Sequence, residues 1–324
     1  MSRRGDLRKG RQVCDQSGRV HRVRRLRGRM SRRSSEAGRI IRIGNRFLKA
    51  GGEQGGDPLC SPFPFFEGIP VFSIRTYDMT EEFLTEINEN LKILQRRDGL
   101  AFGTDAYLLA AFVRGDGNAA EFGGGSGVVS LLCASRGKFR RILCAEIQPA
   151  LADLIGRNAA LNGLEGRVVP LLSDVRDLTA GDTGGELSAV FSNPPYFRAG
   201  TGKVSDSPEK RAARQEENGT IREFCAAASR LLRWGGTFTV VYRPERMAEL
   251  FYSLRLAGLE PKRIVLIHPV SDAPPSLLLL EAKKGAGEGL VFSRPLIVYR
   301  DPGKTVYTDD MQKVYDDFTL NHLF

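Results

Sequence analysis

At 324 residues and 41% apolar content the chain can bury a large core, which excludes a wholly disordered protein. The net charge of +10 is unevenly placed: residues 1–78 hold 18 Lys and Arg against 7 Asp and Glu, whereas residues 79–324 hold 30 against 31. Five scattered cysteines without a Cys-x-x-Cys pair argue against a disulfide scaffold or zinc ribbon. With no signal-peptide pattern and no apolar run near the roughly 18 residues of a membrane span, a soluble cytoplasmic protein with no membrane contact is expected.

Residues 1–78 carry 16 Arg and 11 Gly, and their apolar residues follow neither a strand nor a helix period, so a disordered extension is expected. It reads either as a basic arm that neutralises nucleic-acid phosphates or as a segment ahead of the true start, with Met79 as the initiator. Residues 58–70, with four prolines and three phenylalanines, read as an irregular linker.

From Met79 onward the pattern becomes that of a folded domain. Met79 to Phe83 reads as helix-like. Thr104 to Val113 reads as a helix capped by Asp105, followed by a strand at Asn118–Phe122, the glycine run Gly123 to Gly127, and a helix over Val128–Ser135. Arg141 to Ala145 is a second strand. Pro149 then opens a helix that Asn162-Gly163 stops. Strands follow at Val168–Leu172, Leu187–Phe191, Thr237–Tyr242, Ile264–Ile267 and Leu277–Glu281, with helices around Ile221–Leu232 and Glu245–Leu256. This alternation predicts an α/β domain over 79–324, a mostly parallel seven-stranded sheet with helices on both faces.

In such a sheet ligands sit beyond the carboxyl ends of the strands. The glycine run lacks the dinucleotide spacing, because Val128 stands where Gly-x-Gly-x-x-Gly needs its third glycine. The pattern present, Glu121-x-Gly123-x-Gly125-x-Gly127, resembles the first motif of class I S-adenosylmethionine-dependent methyltransferases, whose fold is Rossmann-like. Glu146 ends the second strand, where a carboxylate can accept both ribose hydroxyls of an adenosyl group. Asp174 follows the third strand, where it or a neighbouring amide can meet the adenine amine. The three acids at successive strand ends make S-adenosylmethionine the expected cofactor.

After the fourth strand comes Asn193-Pro194-Pro195-Tyr196-Phe197. Its first four residues would arise by chance about twice in a thousand chains of this length. They match the motif of methyltransferases acting on planar amines. Such an amine is a weak nucleophile that gains positive charge during attack. The Asn193 side-chain oxygen and the Pro194 carbonyl can accept its two hydrogens, with the prolines holding the turn stiff. Tyr196 and Phe197 offer aromatic faces for a flat base. His21, His268 and His322 have no metal-ligand spacing, so no metal is expected. Ser126 lacks a Gly-x-Ser-x-Gly frame and a histidine partner, so it is not read as a nucleophile.

Beyond these motifs, residues 79–324 resemble bacterial tRNA adenine-N6 methyltransferases that modify the adenine beside the anticodon of a valine tRNA. The likeness rests on Leu94 to Gly99, Phe102 to Ala106, Arg211 to Glu216, Tyr242 to Arg246 and Pro295 to Tyr299. It implies that Gly103, Thr104 and Asp105 help close the cofactor pocket and that Lys210, Arg211 and Arg214 lie near the substrate mouth. It also implies tRNA as partner and a monomer. That family starts near Met79, so residues 1–78 have no counterpart in it. Release-factor glutamine methyltransferases share the Asn-Pro-Pro-Tyr turn but place a helical domain ahead of it, which residues 1–78 do not resemble. A non-catalytic module on the same fold and an enzyme of free small molecules are the other readings.

Overall fold

The computed structural model describes residues 76–78, 82–88, 90–97, 102–194 and 219–324, all within the unit spanning 48–324. In chain order the elements are β1 (Thr76–Asp78), β2 (Glu82–Asn88), β3 (Leu91–Arg96), α1 (Thr104–Phe112), β4 (Asn118–Phe122), α2 (Val128–Ser135), β5 (Arg141–Glu146), α3 (Pro149–Leu161) and β6 (Val168–Leu172). They continue with α4 (Ala180–Thr183), β7 (Leu187–Ser192), α5 (Ile221–Leu231), β8 (Leu232–Tyr242), a 3-10 turn (Pro244–Arg246), α6 (Met247–Leu256), β9 (Leu259–His268), β10 (Leu277–Lys284), the short β11 (Val291–Phe292) and β12 (Leu296–Ile297), α7 (Asp309–Asp317) and a final 3-10 turn.

The main sheet runs β11-β9-β10-β8-β7-β4-β5-β6, with β12 also on β9. From β8 to β6 the pairs are parallel, while β10 is antiparallel to both β8 and β9. Seven long strands therefore form the expected mostly parallel sheet, and β11 and β12 add two residues each at the β9 edge. Buried side chains of α1, α2, α3 and α7, among them Leu108, Leu131, Ile155 and Val314, pack on one face. Phe224 of α5 and Leu250 of α6 pack on the other. The central strands are apolar on both faces because helices cover both, as parallel sheets require.

Several local readings are corrected. The helix-like reading at Met79 to Phe83 fails where the structure describes it, since Glu82 and Phe83 open strand β2. The period of two is plain only one strand later, in Leu91, Ile93 and Gln95, which are all buried while Lys92, Leu94 and Arg96 are not. Thr76–Asp78, ahead of Met79, pair antiparallel with Thr85, Leu84 and Phe83, so strand pairing continues to the N-terminal side of that methionine. β8 starts at Leu232 rather than Thr237 because Gly235, at φ +79°, lets the strand pass through a bend beside a register shift against β7. The helix expected from Glu245 opens as a 3-10 turn at Pro244, and α7, β11 and β12 are additions to the predicted elements.

The three-stranded sheet β1-β2-β3 docks on α3. Arg157 forms a bidentate pair with Glu82 at 2.7 and 2.9 Å and also reaches Asp153 at 2.9 Å. Phe122, fully buried at the end of β4, meets Phe224 edge-on with ring centroids 6.1 Å apart. Phe122→Ala should therefore cost about 3–5 kcal/mol in urea denaturation. Arg157→Ala, at a solvent-exposed pair, should cost no more than about 1 kcal/mol in the same experiment.

Candidate active site

The sheet order fixes the site. Phe122 pairs with Ala145 on one side and Ser192 on the other, and Glu146 pairs with Leu172. The residues that follow these strand ends, Asn193, Gly123, Glu146 and Asp174, therefore fall in a row along the carboxyl edge. The β7–β4 boundary, where the strand order reverses, is the place at which open α/β sheets bind ligands. Ser192 Oγ donates to the Phe122 carbonyl at 2.9 Å and holds the two strand ends level.

Leaving β4, the chain turns at once: Gly123 N and Gly124 N both donate to the Ala145 carbonyl, at 2.9 and 3.1 Å. Gly123, Gly125 and Gly127 sit at φ of +70°, +56° and +79°, which a side chain would strain. A Cβ added at Gly123 or Gly125 would meet nothing within 4 Å, so both face open space. At Gly124 it would lie 2.3 Å from Cys144 Sγ, and at Gly127 3.3 Å from Ile155. The loop is thus seated on β5 and α3 with its other side bare, a cradle that a ligand's backbone-hugging portion fits.

Two buried glutamates hold this turn. Glu146 accepts the Gly125 N–H on Oε2 and the Gln148 N–H on Oε1, both at 2.9 Å. Each oxygen keeps acceptor capacity, which suits a vicinal diol. Glu121 accepts the Ser130 N–H at 3.0 Å, the Ser130 hydroxyl, and the Cys144 thiol at 3.3 Å. Since the N-cap of α2 is Gly127, which has no side chain, Glu121 supplies the acceptor that an N-cap Ser or Asp would. Burial nevertheless pushes its carboxyl up to about 7, against those hydrogen bonds and with the nearby Glu146 charge adding to the rise. Asp174 differs: its oxygens accept the Arg176 guanidinium at 2.6–3.0 Å and the Arg176 N–H at 2.8 Å, which lowers its pKa. The sequence did not single out Arg176, because no motif marks it.

At the other end of the row, Asn193 Nδ2 donates to Asp105 Oδ2 at 2.9 Å. A carboxylate has no proton to give, so this bond requires the amide nitrogen to face Asp105 and turns the Asn193 oxygen the other way. Asp105 is therefore not the helix cap expected from sequence. Gly103 is the N-cap of α1, Thr104 is buried at its first position, and the Asp105 side chain serves the neighbouring strand end. A Cβ at Gly103 would stand 2.7 Å from Asp105 Oδ1, so a side chain there would displace the carboxylate that holds Asn193. The preceding residue is fixed as well: Phe102 N donates to Gln95 Oε1 at 3.1 Å, and Gln95 Nε2 to Thr85 Oγ1 at 2.7 Å. Pro194 is buried, while Pro195, Tyr196, Phe197, Lys210, Arg211 and Arg214 lie outside the described residues. Among the described residues no three His, Cys, Asp or Glu side chains gather as metal ligands do, and no helix is long and apolar enough to cross a membrane.

Residues 109–190 match the family model described as the TRM5/TYW2 methyltransferase domain. A tRNA1(Val) (adenine(37)-N6)-methyltransferase of Porphyromonas gingivalis is 24% identical over 226 residues, covering 67% of this chain and 87% of that protein. One from Musicola paradisiaca is 28% identical over 234 residues, covering 71% and 91%. Among solved structures, a predicted O-methyltransferase from Agrobacterium tumefaciens superposes with a TM-score of 0.53 at 23% identity, over 66% of this chain and 97% of that one. The strand order and the superposition show the Rossmann-like fold of class I methyltransferases, and within it residues 109–190 match a methyltransferase family model and the chain is similar to curated methyltransferases.

Proposed function

We propose that the protein methylates the exocyclic N6 of adenine in tRNA, at the adenine next to the anticodon. The observation that carries this reading is the Asp105–Asn193 hydrogen bond, which presents an amide oxygen as a fixed acceptor at the switch point of the sheet. The curated relatives, at 22–29% identity, are named for this reaction on a valine tRNA.

S-adenosylmethionine supplies an electrophilic methyl group carried on a sulfonium. The glycine cradle, Glu146 and Glu121 would hold it, with Glu146 on the ribose hydroxyls and the buried Glu121 carboxylate as counter-charge. Asp174, or the backbone amide beside it, remains the candidate for the adenine end, although Arg176 already takes both carboxylate oxygens. The Asn193 oxygen and the Pro194 carbonyl accept the two N–H groups of the target amine as its nitrogen turns positive. The nitrogen–carbon bond forms as the carbon–sulfur bond breaks, and the methylated nitrogen then loses a proton to water without a dedicated base. Acceptors fixed beforehand lower the barrier because they need no reorganisation during attack. Tyr196 and Phe197 are proposed to stack on the base, and Lys210, Arg211 and Arg214 to meet phosphates.

Asn193→Ala should reduce methyl transfer by about 100-fold or more while S-adenosylmethionine binds within about 3-fold of the parent. Labelled methyl incorporation into unmodified tRNA, followed by nucleoside mass spectrometry, reads this out. N6-methyladenosine is the expected product, and label found in protein rather than RNA would overturn the substrate. For Glu121 the folded pKa lies above the unfolded value, so the folded state binds the proton more tightly. Its contribution therefore lowers stability progressively from pH about 4.5 to about 7 and is constant above that, by roughly 3 kcal/mol. Glu121→Gln should accordingly raise the melting temperature at pH 8 relative to the parent, with little gain at pH 4.5. Cofactor affinity should climb with pH toward 7 in the parent and lose that dependence in the variant, as calorimetric titration at several pH values would show.

A further inference from the structure

β3 has one edge on β2, and its other edge would leave the backbone groups of Lys92 and Leu94 unpaired beside α3. Two asparagines of that helix complete it. The Asn162 side chain accepts the Lys92 N–H at 2.8 Å and donates to the Lys92 carbonyl at 2.7 Å. Four residues earlier, Asn158 does the same for Leu94, at 2.7 and 3.0 Å. A side-chain amide has the donor and acceptor of a peptide group, so the pair stands in for a neighbouring strand. In this respect the two are equivalent, but in another they are not. Asn158 is fully buried, and its second amide hydrogen donates to the Ser126 carbonyl at 2.9 Å, inside the glycine loop. Ile155, on the same helix face, lies under Gly124 and Gly127.

We infer that Asn158 is a positioning residue for the cofactor loop: its amide joins the edge of the N-terminal hairpin to Ser126, so that hairpin and loop move as one body. The inference rests on the methyltransferase reading for the identity of the ligand. Ser126 lies between Gly125 and Gly127, both in left-handed backbone, and the Gly125 N–H is the group that Glu146 holds. Freed from Asn158, the carbonyl can rotate, and the loop then samples conformations in which the Gly125 N–H leaves Glu146. The cost should fall on cofactor binding, because the ordering that Asn158 provides beforehand must then accompany binding.

The test uses the full chain and S-adenosylmethionine without RNA. Asn158→Ala should weaken calorimetric binding about 10-fold or more, whereas Asn162→Ala, which cuts equivalent hairpin bonds but none to the loop, should stay within about 2-fold. Both variants should melt below the parent. Equal loss of binding in the two variants, or none in Asn158→Ala, would overturn the proposal. Failure of the parent to bind would instead remove the methyltransferase reading on which it rests. Should Asn158→Ala not fold, amide exchange on the parent decides: cofactor should slow the Leu94 amide several-fold more than the Lys92 amide, and equal slowing would count against the link.

Discussion

The site depends on one constraint: the chain must leave β4 and enter α2 within five residues while keeping its amides on the sheet and its open side clear. Only glycine adopts the required φ at Gly123, Gly125 and Gly127 without strain, so these positions carry no side chain for hydrogen bonding. Other elements must supply what the turn lacks. Glu146 of β5 binds the Gly125 N–H, Glu121 of β4 caps α2, and Asn158 of α3 takes the Ser126 carbonyl. A loop assembled from external supports in this way is rigid where it touches protein and bare where it faces ligand.

This arrangement has a stability cost that is visible in Glu121. A carboxyl that burial lifts to about 7 is one the fold would rather protonate, yet it is held next to a helix N-terminus, where an anion is favoured. Glutamine would satisfy the Ser130 N–H equally well and relieve the burial penalty. The cationic ligand proposed above would favour a charged group at this position where folding alone does not.

The sheet and its carboxyl edge were legible in the sequence because each strand is a short β-rich run closed by glycine, proline or an acid, and parallel topology then aligns the strand ends. Glu121, Gly123, Glu146 and Asn193 needed only that alignment. The supports were not legible. Asp105 looked like a cap because local rules place acids at helix starts, whereas its partner Asn193 is 88 residues away. Asn158 and Asn162 look like ordinary polar positions of an amphipathic helix, and what gives them meaning is strand β3, about 64 to 70 residues earlier. Their spacing of four beside the apolar Ile155 was a usable signal, but only once an unpaired strand edge was known to lie there. Tyr196 and the basic residues of 210–214 belong to readable motifs that the described residues do not reach.

The same geometry suits the planar amine proposed as acceptor. Among the described residues, His268 Nδ1 is engaged with the Ala273 carbonyl and His322 lies beside Asp310, so neither imidazole serves the strand ends. Of the acids along that edge, Asp174 is held by Arg176 and Asp105 holds Asn193. A reaction that must remove a tightly held proton before attack needs a free base. An exocyclic amine needs none, because its proton departs only after the nitrogen has become cationic. What it needs is acceptors that do not move while charge develops, and an amide pinned by a carboxylate meets that requirement.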